Sequence, residues 1–170
     1  TLRGNVSSGY GLWKSVDAGK TWSFSGLPKS RHIPRIVIHP SNPDIVYAAV
    51  LGNIYKPTDE RGVYKSTNGG KSWRKVLFSN AHSGAVELVM DPTNPRVLYA
   101  STWRVNRTPY SLNSGGEGSA LWKSTDEGQT WTEISQNEGF AEGTLGIMGV
   151  TVSPIDSQKV WTIVENKEEG

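Results

Sequence analysis

The chain contains no cysteine and only three histidines among its 170 residues. The absence of thiols excludes disulfides, thiolate catalysis and cysteine-ligated zinc. With so few histidines as well, we expect no metal site and no cofactor. Eighteen lysines and arginines balance sixteen acidic residues to a formal net charge of +2, which gives no support to a nucleic-acid partner. No apolar run approaches the ~20 residues that a membrane-spanning helix needs.

Glycine and tryptophan, in contrast, are abundant. The chain has 19 glycines and seven tryptophans, whereas glycine averages about 7% of residues in proteins. A sequence rich in glycine and turn signals, with no helical periodicity, indicates an all-β fold with many tight turns.

A twelve-residue motif occurs three times in the sequence. It reads GLWKSVDAGKTW at 11–22, GVYKSTNGGKSW at 62–73 and ALWKSTDEGQTW at 120–131. A second motif alternates with it, as IVIHPSNPDIVYA at 36–48, LVMDPTNPRVLYA at 88–100 and a weaker copy at 150–162. Two motifs that alternate with one period of roughly 50 residues indicate a repeat architecture.

Each motif predicts two strands and the turn between them. In the first motif, Asp17 and its equivalents can accept hydrogen bonds from turn amides, and the glycine that follows supplies a position of positive φ. In the second motif, Pro43 and Pro95 suit the second residue of a type I or II turn. One period therefore contains four short strands, which is the content of a propeller blade.

The predicted fold is all-β: a segment of a β-propeller made of four-stranded antiparallel blades, with strands named A to D from the centre outwards. Residues 1–25 would supply strands C and D of a first blade, 26–78 a second blade, 79–135 a third, and 136–170 strands A and B of a fourth. The twelve predicted strands are Gly11–Ser15, Thr21–Phe24, Ile33–His39, Ile45–Val50, Gly62–Ser66, Ser72–Leu77, Ala85–Asp91, Val97–Trp103, Ala120–Ser124, Thr130–Ile134, Gly149–Ser153 and Lys159–Glu165. They amount to about three blades, whereas propellers close with roughly 4–8. We therefore expect the remaining blades of a longer parent chain as partners, or closure by pairing of two copies.

The first motif resembles the Asp-box, or bacterial neuraminidase repeat, with the pattern Ser-Xaa-Asp-Xaa-Gly-Xaa-Thr-Trp. This repeat occurs in sialidases, xyloglucan-hydrolysing tandem propellers and sortilin-type receptors, and its pairing with the second motif is most similar to secreted bacterial proteins of sortilin-like or glycosyl-hydrolase-like type. The resemblance implies an extracytoplasmic bacterial protein whose box lies on the C–D turn, opposite the ligand-binding loops, with the box tryptophans packed between blades. It assigns a structural role to Ser15, Asp17, Gly19, Trp22, Ser66, Asn68, Gly70, Trp73, Ser124, Asp126, Gly128 and Trp131.

The same resemblance places a ligand face on the B–C and D–A loops, which differ in length between the repeats. Loops on a rigid scaffold are where function concentrates, and aromatic and charged side chains on them suit a sugar or a peptide. The candidate ligand-binding residues are Arg31, His32, Tyr55, His82, Arg104, Arg107, Tyr110 and Glu117. Four of them belong to the long B–C loop predicted at Arg104–Ser119.

Two classes of function remain open. The leading hypothesis is a non-catalytic module that binds protein or polysaccharide, or acts as a scaffold. The alternative is part of a xyloglucanase- or sialidase-like glycoside hydrolase whose catalytic carboxylates lie partly outside this segment. A glycosidase needs two carboxylates about 5–9 Å apart. The acidic loop residues are Asp59, Glu60, Glu117, Glu138 and Glu142, and no pair among them stands out.

Overall fold

The computed structural model describes residues 7–167, which form thirteen β-strands and no helix. The strands are β1 (Trp13–Lys14), β2 (Ser23–Phe24), β3 (Arg35–His39), β4 (Asn42–Val50), β5 (Gly62–Ser66), β6 (Arg74–Leu77), β7 (Ser83–Met90), β8 (Leu98–Arg107), β9 (Leu112–Ser114), β10 (Ala120–Ser124), β11 (Thr132–Glu133), β12 (Leu145–Val152) and β13 (Val160–Asn166). Within this range no helix is available to cross a membrane. The sequence units 1–25 and 136–170 also contain residues 1–6 and 168–170, which lie outside the described residues.

Four antiparallel sheets follow one another along residues 7–167. Strands β3, β4, β5 and β6 form one sheet in chain order, and β7, β8, β10 and β11 form another, in which β9 pairs with β8. The first sheet contains β1 and β2, and the last contains β12 and β13. This arrangement confirms the predicted all-β propeller segment with four-stranded antiparallel blades.

The hydrophobic core lies between neighbouring sheets, because alternate residues of a strand face opposite sides. On β8, Leu98 and Ala100 belong to a cluster shared with β4, β5, β6 and β7. Tyr99, between them, belongs to the next cluster, which it shares with Met148 and Val150 of β12. Sheets that bury both faces against neighbours are what a propeller requires of its blades.

The segment Arg104–Ser119, which the sequence predicts as a loop, contains a β-hairpin in the structure. The sequence predicts twelve strands and a loop at Arg104–Ser119, whereas the structure extends β8 into this segment and adds β9, a thirteenth strand among the described residues. Val105 is 1% exposed and packs against Ile54, which stabilises the extension. Across the tip, the Thr108 amide donates to the Ser111 carbonyl at 2.9 Å.

The Asp-box turns are held by hydrogen bonds within the box. In the third copy, the Ser124 hydroxyl donates to Asp126 Oδ1 at 2.8 Å and accepts from the Gly128 amide at 2.8 Å. The carboxylate of Asp126 accepts from the Thr130 amide at 2.9 Å and from its hydroxyl at 2.6 Å. The same contacts recur in the first copy, at Ser15, Asp17, Gly19 and Thr21.

The middle copy keeps this arrangement with an asparagine. Ser66 donates to Asn68 Oδ1 at 3.0 Å and accepts from the Gly70 amide at 2.8 Å. The Ser72 amide donates to Asn68 Oδ1 at 2.9 Å, and Asn68 Nδ2 donates to the Ser72 hydroxyl at 2.8 Å. The turn therefore needs an oxygen acceptor at this position and not an acid.

Two of the three box tryptophans, Trp73 and Trp131, pack against the preceding sheet. Trp73 Nε1 donates to the Ser25 carbonyl at 2.7 Å, and Trp131 packs against the cluster between the second and third sheets. Trp22 was expected to pack between blades as well, but it is 61% exposed. The reason is that the described residues place no sheet before β1 and β2.

A lysine of one sheet binds the Asp-box turn of the next. Lys14 Nζ donates to the Gly69 carbonyl at 3.1 Å. Lys65, its equivalent one repeat later, donates to the Glu127 carbonyl at 2.9 Å, and the Tyr47 hydroxyl donates to the same oxygen at 2.9 Å. The ammonium group of Lys65 also lies 5.2 Å from the centre of the Tyr47 ring. We refer to Tyr47 and Lys65 as a Tyr–Lys pair.

Trp73→Ala should lower the free energy of unfolding by ~3–5 kcal/mol, because it empties part of the seam between the first two sheets. The matched control is Tyr110→Ala, which removes an aromatic side chain that is 98% exposed and should cost less than about 1 kcal/mol. Chemical denaturation of the parent protein measures both. Equal losses for the two variants would contradict the packing described for Trp73.

The hydrogen bonds of the boxes also make the first and third turns sensitive to acid. The side-chain hydrogen bond from Thr21, followed by that from its amide, lowers the pKa of Asp17 from 3.8 to about 2. Hydrogen bonds from the Thr130 side chain and amide likewise lower the pKa of Asp126. A carboxylate with a lowered folded pKa stabilises the fold above its unfolded pKa, and this contribution is lost as the pH falls through the folded value.

We therefore predict that lowering the pH from 3.8, the unfolded pKa of Asp17, to its folded pKa of about 2 loosens the Asp17 turn. The Asn68 turn should not respond. As the pH falls, the NMR signals of the Thr21 and Thr130 amide protons should shift, and both protons should exchange faster with solvent. The Thr130 proton should respond at a lower pH than the Thr21 proton. The Ser72 amide, bound to an uncharged acceptor, is the internal control. NMR titration measures all three amides, and a Ser72 amide that follows Thr21 would contradict the prediction.

Candidate functional site

The B–C and D–A loops lie at the end of the sheets opposite the Asp-box turns, because β5 runs from a B–C loop to a box and neighbouring strands alternate in direction. Two adjacent concavities open on this loop face. The first has a volume of about 470 Å³ and is lined by Ser8, Gly9, Tyr10, Pro28, Lys29, Arg31, Asn53, Lys56, Thr58 and Glu60. The second has a volume of about 390 Å³ and is lined by Tyr55, Lys56, Pro57, His82, Arg104, Val105, Asn106, Asn113, Ser114, Gly115 and Lys167. Lys56 lines both.

These two concavities bring together four of the eight predicted ligand-binding residues. Arg31 lines the first, and Tyr55, His82 and Arg104 line the second. The three residues in the second concavity lie on two loops and on β8 and are far apart in sequence, so the fold creates this grouping.

The other predicted residues lie outside the two concavities. His32 Nδ1 lies 2.8 Å from the Gly52 carbonyl, which ties this histidine to the neighbouring loop. Arg107 is half-buried, and its amide donates to the Ile54 carbonyl at 2.8 Å. Tyr110 is 98% exposed beside the tip of the β8–β9 hairpin. A ligand that extends beyond the concavities could contact Tyr110, whereas His32 is engaged within the protein.

Sequence reasoning missed Arg61, a fully buried cation beneath the loop face. It is 1% exposed, and its guanidinium donates to the carbonyls of His82 at 2.6 Å, Asn53 at 2.5 Å and Val105 at 3.3 Å. Burial lowers the pKa of Arg61 to about 10. Because its three acceptors belong to a D–A loop, a B–C loop and β8, this side chain connects the walls of both concavities.

A third concavity on the loop face, of about 390 Å³, contains two carboxylates. Glu117, the eighth predicted residue, lines it together with Glu133 of β11. Glu133 accepts hydrogen bonds from the Ser135 hydroxyl at 2.8 Å and the Gln136 amide at 3.1 Å. A strand position gave no sequence signal for Glu133. Across residues 7–167, no group of three or more histidine, aspartate and glutamate residues could hold a metal ion.

A carboxylate beside the second concavity is already bound by protein donors. Glu165 Oε2 accepts from the Ser114 hydroxyl at 2.6 Å and from the Ile147 amide at 2.9 Å. Ser114 Oγ in turn accepts from Trp103 Nε1 at 2.9 Å. This chain of hydrogen bonds connects the β8–β9 hairpin to the last sheet, so it positions the wall of the second concavity.

The repeated sheets, the Asp-box turns between strands C and D and the concavities at the opposite end define an Asp-box β-propeller segment. The chain belongs to the Sortilin-Vps10 family, whose sequence model, described as "Sortilin, neurotensin receptor 3", matches residues 10–143.

Curated relatives of the chain include xyloglucanases. A xyloglucanase of Hypocrea jecorina (strain QM6a) is 29% identical over 138 residues, which cover 79% of this chain and 14% of the relative. Xyloglucanase Xgh74A of Acetivibrio thermocellus is 27% identical over 111 residues, which cover 60% of this chain and 12% of the relative. The chain therefore spans only a small part of the length of the curated relatives that it matches.

Solved structures of GH74 enzymes share the fold. The GH74 enzyme of Niastella koreensis superposes with a TM-score of 0.64 at 24% identity over 88% of this chain and 21% of that structure. The GH74 xyloglucanase of Xanthomonas campestris gives 0.62 at 21% identity over 89% and 23%, and an ancestral GH74 enzyme gives 0.63 at 16% identity over 90% and 19%. At these identities the likeness shows the β-propeller fold.

Arg61→Met should lower the free energy of unfolding by about 3–5 kcal/mol, because three carbonyls lose a charged donor in a buried environment. Arg74→Met, which removes the same charge from an exposed position on β6, is the matched control. Urea denaturation of the parent protein measures both effects. A loss for Arg61→Met no larger than that of the control would contradict the role of Arg61 beneath the loop face.

Proposed function

We propose that this segment forms part of the polysaccharide-binding face of a larger β-propeller protein. The observation that carries this proposal is the pair of adjacent concavities on the loop face. Tyr10 lines the first and Tyr55 the second, and amide and hydroxyl side chains line both. An aromatic ring with a few convergent polar groups is a suitable site for a sugar ring. The xyloglucanase relatives favour a polysaccharide over a protein as the ligand.

The two concavities favour binding over hydrolysis. A glycosidase places two carboxylates on either side of the bond that it cleaves. Among the described residues, the first concavity is lined by one carboxylate, that of Glu60, and the second by none. A parent protein that hydrolysed a sugar chain here would have to add carboxylates from other blades.

Exposed apolar residues on the second and the last sheet support a larger ring. On β3, Ile36 and Ile38 are 52% and 58% exposed, and on β13, Trp161 and Ile163 are 68% and 78% exposed. Apolar surface left in water forgoes about 25 cal/mol per Å² of stabilisation, so further blades of a parent chain would cover these faces. The parent would act outside the cytoplasm, because polysaccharide polymers do not cross membranes.

Tyr55→Ala should weaken the binding of xyloglucan oligosaccharides by about tenfold, because the sugar loses its aromatic platform. Trp22→Ala is the matched control, since it removes another aromatic side chain at the opposite, Asp-box end. Isothermal titration calorimetry of the parent protein measures both affinities. An unchanged affinity in Tyr55→Ala would count against the proposed binding face.

Hydrolysis at the third concavity is a second candidate function, because Glu117 and Glu133 line it together. If they act as the acid and its partner carboxylate, Glu117→Gln and Glu133→Gln should each lower the turnover of xyloglucan by about 100-fold or more. Glu138→Gln, an acidic loop residue outside this concavity, is the control. Unchanged turnover in both variants would remove this candidate.

A further inference from the structure

Positive charge is concentrated in the two adjacent concavities of the loop face, although the chain as a whole has a net charge of only +2. The two concavities there are lined by five cationic side chains, those of Lys29, Arg31, Lys56, Arg104 and Lys167. Because one carboxylate, that of Glu60, lines these walls within the described part of the chain, the two concavities are strongly cationic.

None of these five cations forms an ion pair with another residue between positions 7 and 167. The ion pairs found there join Arg35 to Glu87, Lys65 to Glu127 and Lys159 to Asp156. Arg104 Nη1 makes only a long contact of 3.5 Å to the Gly115 carbonyl, and Arg31 Nη1 donates to the Ser8 hydroxyl at 3.3 Å. Most donors of both guanidinium groups therefore remain available to a ligand.

We propose that the two concavities bind a polysaccharide with negative charges along its chain, of which a polymer of uronic acids is the simplest case. This inference rests on the proposed function and specifies its ligand. Each concavity combines one tyrosine with at least two cations, and Lys56 is shared between them. The repeated combination matches a polymer of repeated units, since a guanidinium can bind a carboxylate through two parallel hydrogen bonds.

The lining favours an acidic sugar over an acidic peptide. Apart from Pro28 and Pro57, Val105 is the one aliphatic residue among the described residues that line the two concavities, and it is 1% exposed. Peptide recognition depends on pockets for side chains or on a free strand edge, and these walls offer no such apolar pocket. The side-chain amides of Asn53, Asn106 and Asn113 suit the hydroxyl groups of a sugar.

The test compares galacturonate oligomers with the same oligomers after methyl esterification, which removes the charge and keeps the sugar ring. The parent protein should bind the charged form at least about tenfold more tightly, and added salt should reduce the difference. Arg104→Gln should remove most of this preference. Lys20→Gln, which removes the same charge from an Asp-box turn, should leave it unchanged.

Equal binding of the charged and esterified oligomers would overturn the proposal of an anionic ligand. A preference for the charged oligomers that persists in Arg104→Gln would overturn it as well. If the parent still binds neutral xyloglucan through Tyr55, the proposed function stands in either case. Failure to bind either galacturonate form or xyloglucan would overturn both proposals. Tighter binding of polyglutamate than of galacturonate would assign the face to acidic peptides instead.

A second inference comes from an independent observation, the Tyr–Lys pair. Tyr99 and Lys123 repeat this pair one period later, with the ammonium group 5.4 Å from the ring centre. In the first pair, Tyr47 and Lys65 each donate a hydrogen bond to the Glu127 carbonyl of the next box. Neither Tyr99 nor Lys123 donates a side-chain hydrogen bond to a described residue, although Lys123 interacts electrostatically with Asp91.

We infer that Tyr99 and Lys123 bind the Asp-box turn of the blade that begins with β12 and β13, a turn that lies further along the parent chain, through the carbonyl oxygen that corresponds to that of Glu127. The occupant is defined by the neighbouring seam, where the equivalent pair holds such a turn. The parent has room for this blade, because the chain covers 23% or less of the GH74 structures that it matches.

Lys123→Met in the parent protein tests this contact, because methionine keeps the packing against the Tyr99 ring and removes the donor. The unfolding temperature should fall by an amount comparable to that of Lys65→Met, in which the lost bond is described. An unchanged or higher unfolding temperature would overturn the inference. If the unfolding temperature falls only at protein concentrations where light scattering shows a dimer, the turn belongs to a second copy of the protein. This result would also overturn the inference.

Discussion

The bond between a lysine of one sheet and the Asp-box turn of the next is the contact on which the arrangement of the sheets depends. Burial of apolar faces draws neighbouring sheets together but is not directional. A charge-assisted hydrogen bond to a single carbonyl is directional, and it is repeated as Lys14 to Gly69 and as Lys65 to Glu127. Each box must therefore have the same shape, because it presents the acceptor for the preceding sheet.

The need for one fixed turn explains why the box tolerates asparagine. Asp126 and Asn68 both supply an oxygen that accepts from the amide four residues later. The serine hydroxyl and the glycine amide complete the turn in every copy. With one end of each sheet fixed in this way, the loops at the other end can vary in length and charge. There Arg61 supplies the corresponding connection between walls, through three carbonyls.

The repeat made most of the fold predictable from the sequence, and the exceptions have physical reasons. The β8–β9 hairpin was predicted as a loop because its pairing depends on the burial of Val105 against another loop and not on a repeated pattern. β12 begins at Leu145 and not at the predicted Gly149, since glycines and a register shift between Leu145 and Met148 obscure the alternation. At the site, four of eight candidates line two adjacent concavities, but Arg61 was missed because an arginine after Asp59 and Glu60 resembles a solvated loop residue.

The contacts of the cationic side chains differ between the repeated motif and the loops. Two lysines of the repeated motif are used internally: Lys14 and Lys65 each bind a carbonyl of the next sheet, and Lys65 is 8% exposed. The five cations that line the two concavities are instead exposed and, among residues 7–167, without ion pairs. Stability of the stack would be served equally well by neutral loops, since surface charges contribute little to folding. Folding therefore does not constrain the charge of these loops, and the ligand can determine it. This charge carries functional information that membership of the Sortilin-Vps10 family does not supply.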